Sequence, residues 1–226
     1  MRLFKRVLSL VITAAMAAGL ASCSASPSSV TSDTSQTGAT EKLLESTGHE
    51  TSGSSAKESI SRFGKAVVVY FSCTGTTRDV ASKIASVAGC PSYEIVAAKP
   101  YTADDLNYNN KKSRAAKEQN DASARPEISG SITDWSSYDT VFLGYPIWFA
   151  KSPRILCTFV ESQDFTGKTV IPFCTSGSSG IGNSAEELKA LAKNNGKWVN
   201  GTRFSSSVKE KDITEWLSAM KEAGDI

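Results

Sequence analysis

From Lys65 onward, short apolar runs alternate with amphipathic segments, and the two kinds keep different periods. "AVVVYF" (66–71) is continuous and β-branched, the pattern of a strand buried on both faces. The stretch after it places Val80, Ile84 and Val87 on one helical face, and Gly89 supplies a stop. "YEIVAA" (93–98) reads as a second strand, and the polar run 101–129 that follows predicts a surface helix in its middle. "DTVFLGY" (139–145) reads as a third strand. Ser152 and Pro153 stand where a cap and first helical position belong, ahead of an apolar face of Ile155, Leu156, Phe159 and Val160. "KTVIPFC" (168–174) predicts a fourth strand, and the capping-box pattern "SAEE" (184–187) opens a helix through Leu188 and Leu191 to Gly196. "WVNGTRFS" gives a short fifth strand, and Ile213, Trp216, Leu217 and Met220 recur at helical spacing in a last helix.

Strict alternation of strand and helix argues for an α/β sandwich on a parallel sheet. Such sheets bind ligands beyond the carboxyl ends of their strands, where the strand order reverses. Three segments therefore matter: 72–77, 146–152 and 174–183. The first, "SCTGTT", gathers hydroxyls and a thiol around one glycine, with no charge, at the start of a helix. Amides at a helix start form a natural anion site. No lysine follows in the GxxxxGK[ST] arrangement, so it is no Walker loop. A tyrosine-phosphatase loop needs five residues between its cysteine and arginine, whereas Cys73 and Arg78 enclose only four, which would misplace the guanidinium. The second segment, "PIWFAKS", sets Trp148 and Phe149 directly after a buried strand, where they can wall a flat ligand or simply cover the sheet edge. The third, "CTSGSSGIGNS", holds only small residues, and Gly177, Gly180 and Gly182 permit close backbone approach or a flexible turn.

The chain ahead of this domain has a different character. Arg2, Lys5 and Arg6 precede a short apolar run (7–20) that ends in "LASC". This order resembles a bacterial lipoprotein signal over 1–22, in which Cys23 is lipidated and becomes the new terminus. Residues 23–60 are rich in serine, threonine and glycine and predict a disordered tether, leaving 61–226 as the folded domain. The whole chain carries +2, and from residue 61 onward 20 basic residues face 18 acidic ones, with no basic stripe to suggest nucleic acid. Besides Cys23, the cysteines are Cys73, Cys90, Cys157 and Cys174. They form no CxxC pair, and their spacing does not demand disulfides, so they are expected mostly as small buried apolar groups.

Taken together, an uncharged phosphate cradle, an aromatic platform and a glycine-rich rim resemble the flavodoxin family in its short, FMN-binding form. The family's phosphate loop, T/S-x-T-G-x-T, falls on Ser72, Cys73, Thr74, Gly75, Thr76 and Thr77. Its tryptophan loop falls on Pro146, Ile147, Trp148, Phe149 and Ala150, which implies that Trp148 stacks on the isoalloxazine. The third flavin loop falls on Thr175, Ser176, Gly177, Ser178, Ser179 and Gly180. The resemblance implies a three-layer sandwich with a five-stranded parallel sheet in order 2-1-3-4-5, and FMN as cofactor. Many flavodoxins place a tyrosine in the third loop; "CTSGSSGIG" has none, so that flavin face is open or is covered by Tyr101 or Tyr108.

The only histidine, His49, lies in the tether, so His-based triads and a zinc site are improbable in the domain. Any hard chemistry must then come from a cofactor. The expectation is a membrane-tethered redox protein on the extracytoplasmic side, passing electrons through FMN to a partner protein or a small acceptor such as a quinone. The alternatives are an FMN-dependent quinone-type reductase and a flavin-free binding module. The three loops hold no carboxylate, while Lys151 and Arg154 follow the tryptophan, which predicts a less negative potential than acidic flavodoxins show.

Overall fold

A computed structural model describes residues 63–194, 196–224 and 226. The expected signal (1–22), tether (23–60) and lipidation at Cys23 lie outside the described residues.

The first strand, β1 (Ala66–Tyr70), is buried along its whole length, and alternate side chains serve opposite faces of the sheet. Val67 and Val69 enter one core, whereas Ala66, Val68 and Tyr70 enter the other. Helix α1 (Thr76–Ala88) follows and lays Val80, Ala81, Ile84 and Ala88 on the second core. Val87 lies at its margin, only partly buried, and Gly89 ends the helix in the left-handed conformation. Strand β2 (Ser92–Glu94) pairs with β1 in parallel, ending at Tyr70 opposite Glu94.

The predicted second strand breaks there. β1 has no residue beyond Tyr70 to offer as a partner, because its chain turns into the loop before α1. Ile95 makes one last bond to the Tyr70 carbonyl, 2.7 Å, and the chain leaves the sheet. It forms β3 (Val96–Ala97), which pairs antiparallel with β4 (Ile128–Ser129). Between these lies the expected surface helix, α2 (Arg114–Asn120), capped by the Ser113 side chain on the Ala116 amide.

β5 (Thr140–Pro146) and β6 (Thr169–Thr175) complete the centre of the sheet, separated in sequence by α3 (Arg154–Ser162). α3 begins one residue later than predicted. Pro153 is the cap, with an extended ψ of 141°, and Ser152 accepts a bond from Gln119 rather than capping the helix. α4 (Ser184–Leu191) departs further from expectation. Ser184 is the first helical residue, and its hydroxyl bonds the Ile181 carbonyl and Tyr145 instead of closing a capping box. The helix ends at Leu191, short of Gly196.

The predicted fifth strand is split into β7 (Lys197–Trp198) and β8 (Thr202–Phe204), both parallel to β6. Gly201 sits at the break, where a side chain would meet Ile181 and Pro172. The last helix, α5 (Glu210–Glu222), buries Ile213, Leu217 and Met220. The sheet order is β2-β1-β5-β6-β7, with β8 also on β6. Helices α1 and α5 cover one face and α3 and α4 the other, giving the expected three layers. Order reverses between β1 and β5, and the crevice beyond their carboxyl ends is the geometric place for a ligand.

Candidate functional site

A cavity of about 420 Å³ occupies that crevice, within the usual size range of small-ligand sites. Its lining combines Ser72, Cys73, Thr74, Thr76 and Thr77 with Pro146, Ile147 and Trp148, and with Thr175, Ser176 and Gly177. All three predicted loops therefore meet at one place. The register explains this, since Pro146 lies opposite Thr175 and the Ile147 amide bonds the Thr175 carbonyl at 3.0 Å.

The first loop is shaped by Gly75, whose φ of 92° suits a residue without Cβ. Its amide donates to the Ser72 hydroxyl at 3.2 Å, and it caps α1 without lining the cavity itself. First-turn amides such as those of Thr76 and Thr77 have no partner within a helix, so they are available to an anion. The Thr77 hydroxyl is already engaged: it shares a 2.8 Å bond with Thr175, both residues being almost fully buried. Burial pushes the Cys73 thiol up to about 12, so the loop stays neutral at physiological pH.

The second loop is held by the segment that contains α2. Gln119 donates its side-chain amide to the carbonyls of Trp148 and Ser152, at 2.8 and 3.1 Å. The Tyr108 hydroxyl accepts from the Phe149 amide at 2.9 Å and donates to the Ile147 carbonyl. These bonds hold Phe149 and Ala150 at φ of 49° and 64°, a conformation costly for non-glycine residues. Trp148 is 7% exposed, packed edge-on against Phe71 and Tyr101. Only a small part of the indole thus borders the cavity.

Phe149 and Ala150 do not line the cavity. Phe149 stacks on Tyr108 instead, 4.4 Å between centroids, as an exposed aromatic pair. Ser178, Ser179 and Gly180 lie beyond the lining, on the outer part of the third loop. Of the two tyrosines considered as covers, Tyr108 lines the cavity. Tyr101 packs behind Trp148 and donates to Glu118 at 2.7 Å.

Sequence reasoning missed Leu106, Ala115 and Ser206, which complete the lining. They come from segments far along the chain, and no local motif marks them. Among the described residues, no charged side chain lines the cavity. Lys151 is tied into a backbone bridge with Trp148, and Arg154 is buried, donating to the Gln119 carbonyl at 3.4 Å. Arg203 of β8 donates to Ser176 and Gly177 of the third loop. All four described cysteines are free, and no cluster of metal-ligating side chains occurs among the described residues.

Fold order and site position define an α/β protein with a crevice at the switch point of its parallel sheet. A family model described as flavodoxin matches residues 65–220. The chain belongs to the flavodoxin family. A provisionally assigned flavoprotein from Bacteroides eggerthii DSM 20697 is 44% identical, with a TM-score of 0.65, over 70% of this chain and 98% of its own. One from Bacteroides uniformis ATCC 8492 is 41% identical, with a TM-score of 0.65, over 69% and 99% of the two chains. A flavoprotein from Lactobacillus acidophilus NCFM, solved in complex with FMN, shares the fold at 18% identity and a TM-score of 0.52, over 67% and 97%. No curated protein matches the chain.

Proposed function

We propose that this protein is an FMN-binding redox protein, tethered by a lipid on Cys23 to the extracytoplasmic side of a membrane. The observation that carries the flavin reading is the uncharged cavity at the switch point, where the hydroxyl loop 72–77 meets Trp148 and the third loop. The residues fit the group. Ser72, Thr74 and Thr76, with the amides at the start of α1, supply neutral donors suited to a phosphomonoester. Leu106, Ile147 and Trp148 give an apolar wall suited to a flat ring. The FMN complex of the Lactobacillus flavoprotein supports the choice of cofactor.

Bound FMN supplies the electron transfer. The chain's own residues bind, orient and exclude water: the neutral first loop grips the phosphate, and Gln119 and Tyr108 fix the loop that carries Trp148. A lining without carboxylates favours negative charge on the ring more than an acidic site would, and so a less negative potential. The tether reading rests on the order of basic, apolar and small residues before Cys23, followed by a linker poor in apolar residues.

The test is an absorbance spectrum and FMN titration of the purified full-length chain. The reading expects a yellow protein, or one that becomes so on adding FMN, with quenched flavin fluorescence. A folded chain with no affinity for FMN would leave the flavin-free module. Stopped-flow mixing with NADPH and a quinone then separates an enzyme, which turns over, from a carrier, which needs a separate reductase.

A further inference from the structure

Three hydrogen bonds join Arg203 to the third loop. Its Nε donates to the Ser176 hydroxyl at 3.0 Å, and its Nη2 donates to the carbonyls of Ser176 and Gly177, at 2.9 and 2.8 Å. Arg203 lies on β8, opposite Cys174 of β6, so the grip comes from regular sheet structure. Among the described residues no carboxylate pairs with this guanidinium. It is thus committed to the loop.

A trans peptide is planar and sets its N–H opposite its C=O. Capture of the Ser176 and Gly177 carbonyls therefore turns the amides of Gly177 and Ser178 away from the guanidinium. Neither amide has a partner among the described residues. Ser176 and Gly177 line the cavity, and Arg203 does not.

We propose that Arg203 is a positioning residue: its fork presents the Gly177 amide, on the cavity lining, as a donor for an acceptor oxygen on the ring system of the bound cofactor. The guanidinium works through the loop rather than by touching the ligand. Lysine cannot reproduce the fork. This inference rests on the flavin reading and adds to it a determinant of affinity outside the cavity wall.

The test measures affinity of the full-length chain for FMN and for riboflavin, which lacks the phosphate, in wild type, R203K and R203M. Thermal melts confirm folding; should R203M fail to fold, R203K and R203Q carry the comparison. The expected result is a loss of about tenfold or more for every variant, as for removal of charge-assisted hydrogen bonds, with the same factor for FMN and riboflavin. Full rescue by R203K would overturn the proposal by showing that charge alone matters. A loss confined to FMN would overturn it by placing the effect at the phosphate, and unchanged affinities would also overturn it. Wild-type protein that binds neither ligand would sink the flavin reading itself, whereas binding that is indifferent to position 203 would sink only this inference.

Discussion

The bond between Thr77 and Thr175 ties the start of α1 to the end of β6, and it invites a direct measurement. The two hydroxyls are 2.8 Å apart, on residues only 1% and 3% exposed. Threonine to valine keeps the shape and removes the hydroxyl. Either single change, T77V or T175V, strands a polar group where water scarcely reaches, at a cost of about 1–3 kcal/mol. The double change removes both partners together and leaves nothing stranded. It should cost less than the sum of the singles by about 1–2 kcal/mol, a coupling typical of groups in contact. Urea titrations of the four proteins measure this, and melting should shift by about 2–4 °C per kcal/mol for a domain of this size. Strict additivity would refute the reasoning, because it would mean that each hydroxyl finds another partner when the first is gone.

The remaining predictions concern packing, protonation and the cavity wall. G144A should destabilise the fold by about 1–3 kcal/mol through overpacking, since a methyl there would lie 2.6 and 2.7 Å from Phe173 Cε2 and Cε1; an unshifted urea midpoint would contradict it. Burial holds the thiols of Cys73 and Cys174 up at about 12, against an ordinary value of 9.0. Stability from these groups is therefore complete below about pH 9 and falls as pH rises toward about 12, while the unfolded chain ionises first. In native protein at pH 8, Cys73 and Cys174 should react slowly with a thiol reagent, and rapidly in urea, and a flat stability profile above pH 9 would oppose the account. W148A should raise the Kd for FMN at least about tenfold, as for loss of a buried aromatic anchor, and restore flavin fluorescence; unchanged fluorescence would remove Trp148 from the site.

The order of strands and helices was legible along the chain because each element carries its own period. β1, β5 and β6 announce themselves as continuous apolar runs, since helices cover both of their faces. The three site loops were legible for a related reason: they follow those runs, and the sheet's topology allows ligands at only one end. Where local signals failed, a tertiary contact had taken over. Ser184 carries a capping-box sequence, but Tyr145 and Ile181 claim its hydroxyl. "YEIVAA" has the composition of one strand, but β1 runs out of partners at Tyr70, and only the fold shows where that happens.

The deepest gap concerns what surrounds the cavity. Trp148 was visible in the sequence, whereas the fact that it is nearly buried, against Phe71 and Tyr101, was not. Nor could spacing reveal that Phe149 turns out to stack on Tyr108, or that Arg203 bonds to the third loop. Periodicity and glycine placement are properties of neighbours along the chain, so the sequence by itself determined the layers, the sheet and the hydroxyl cradle. Which distant side chains close the cavity depends on backbone paths that cross only after folding, and those the tertiary structure alone decided.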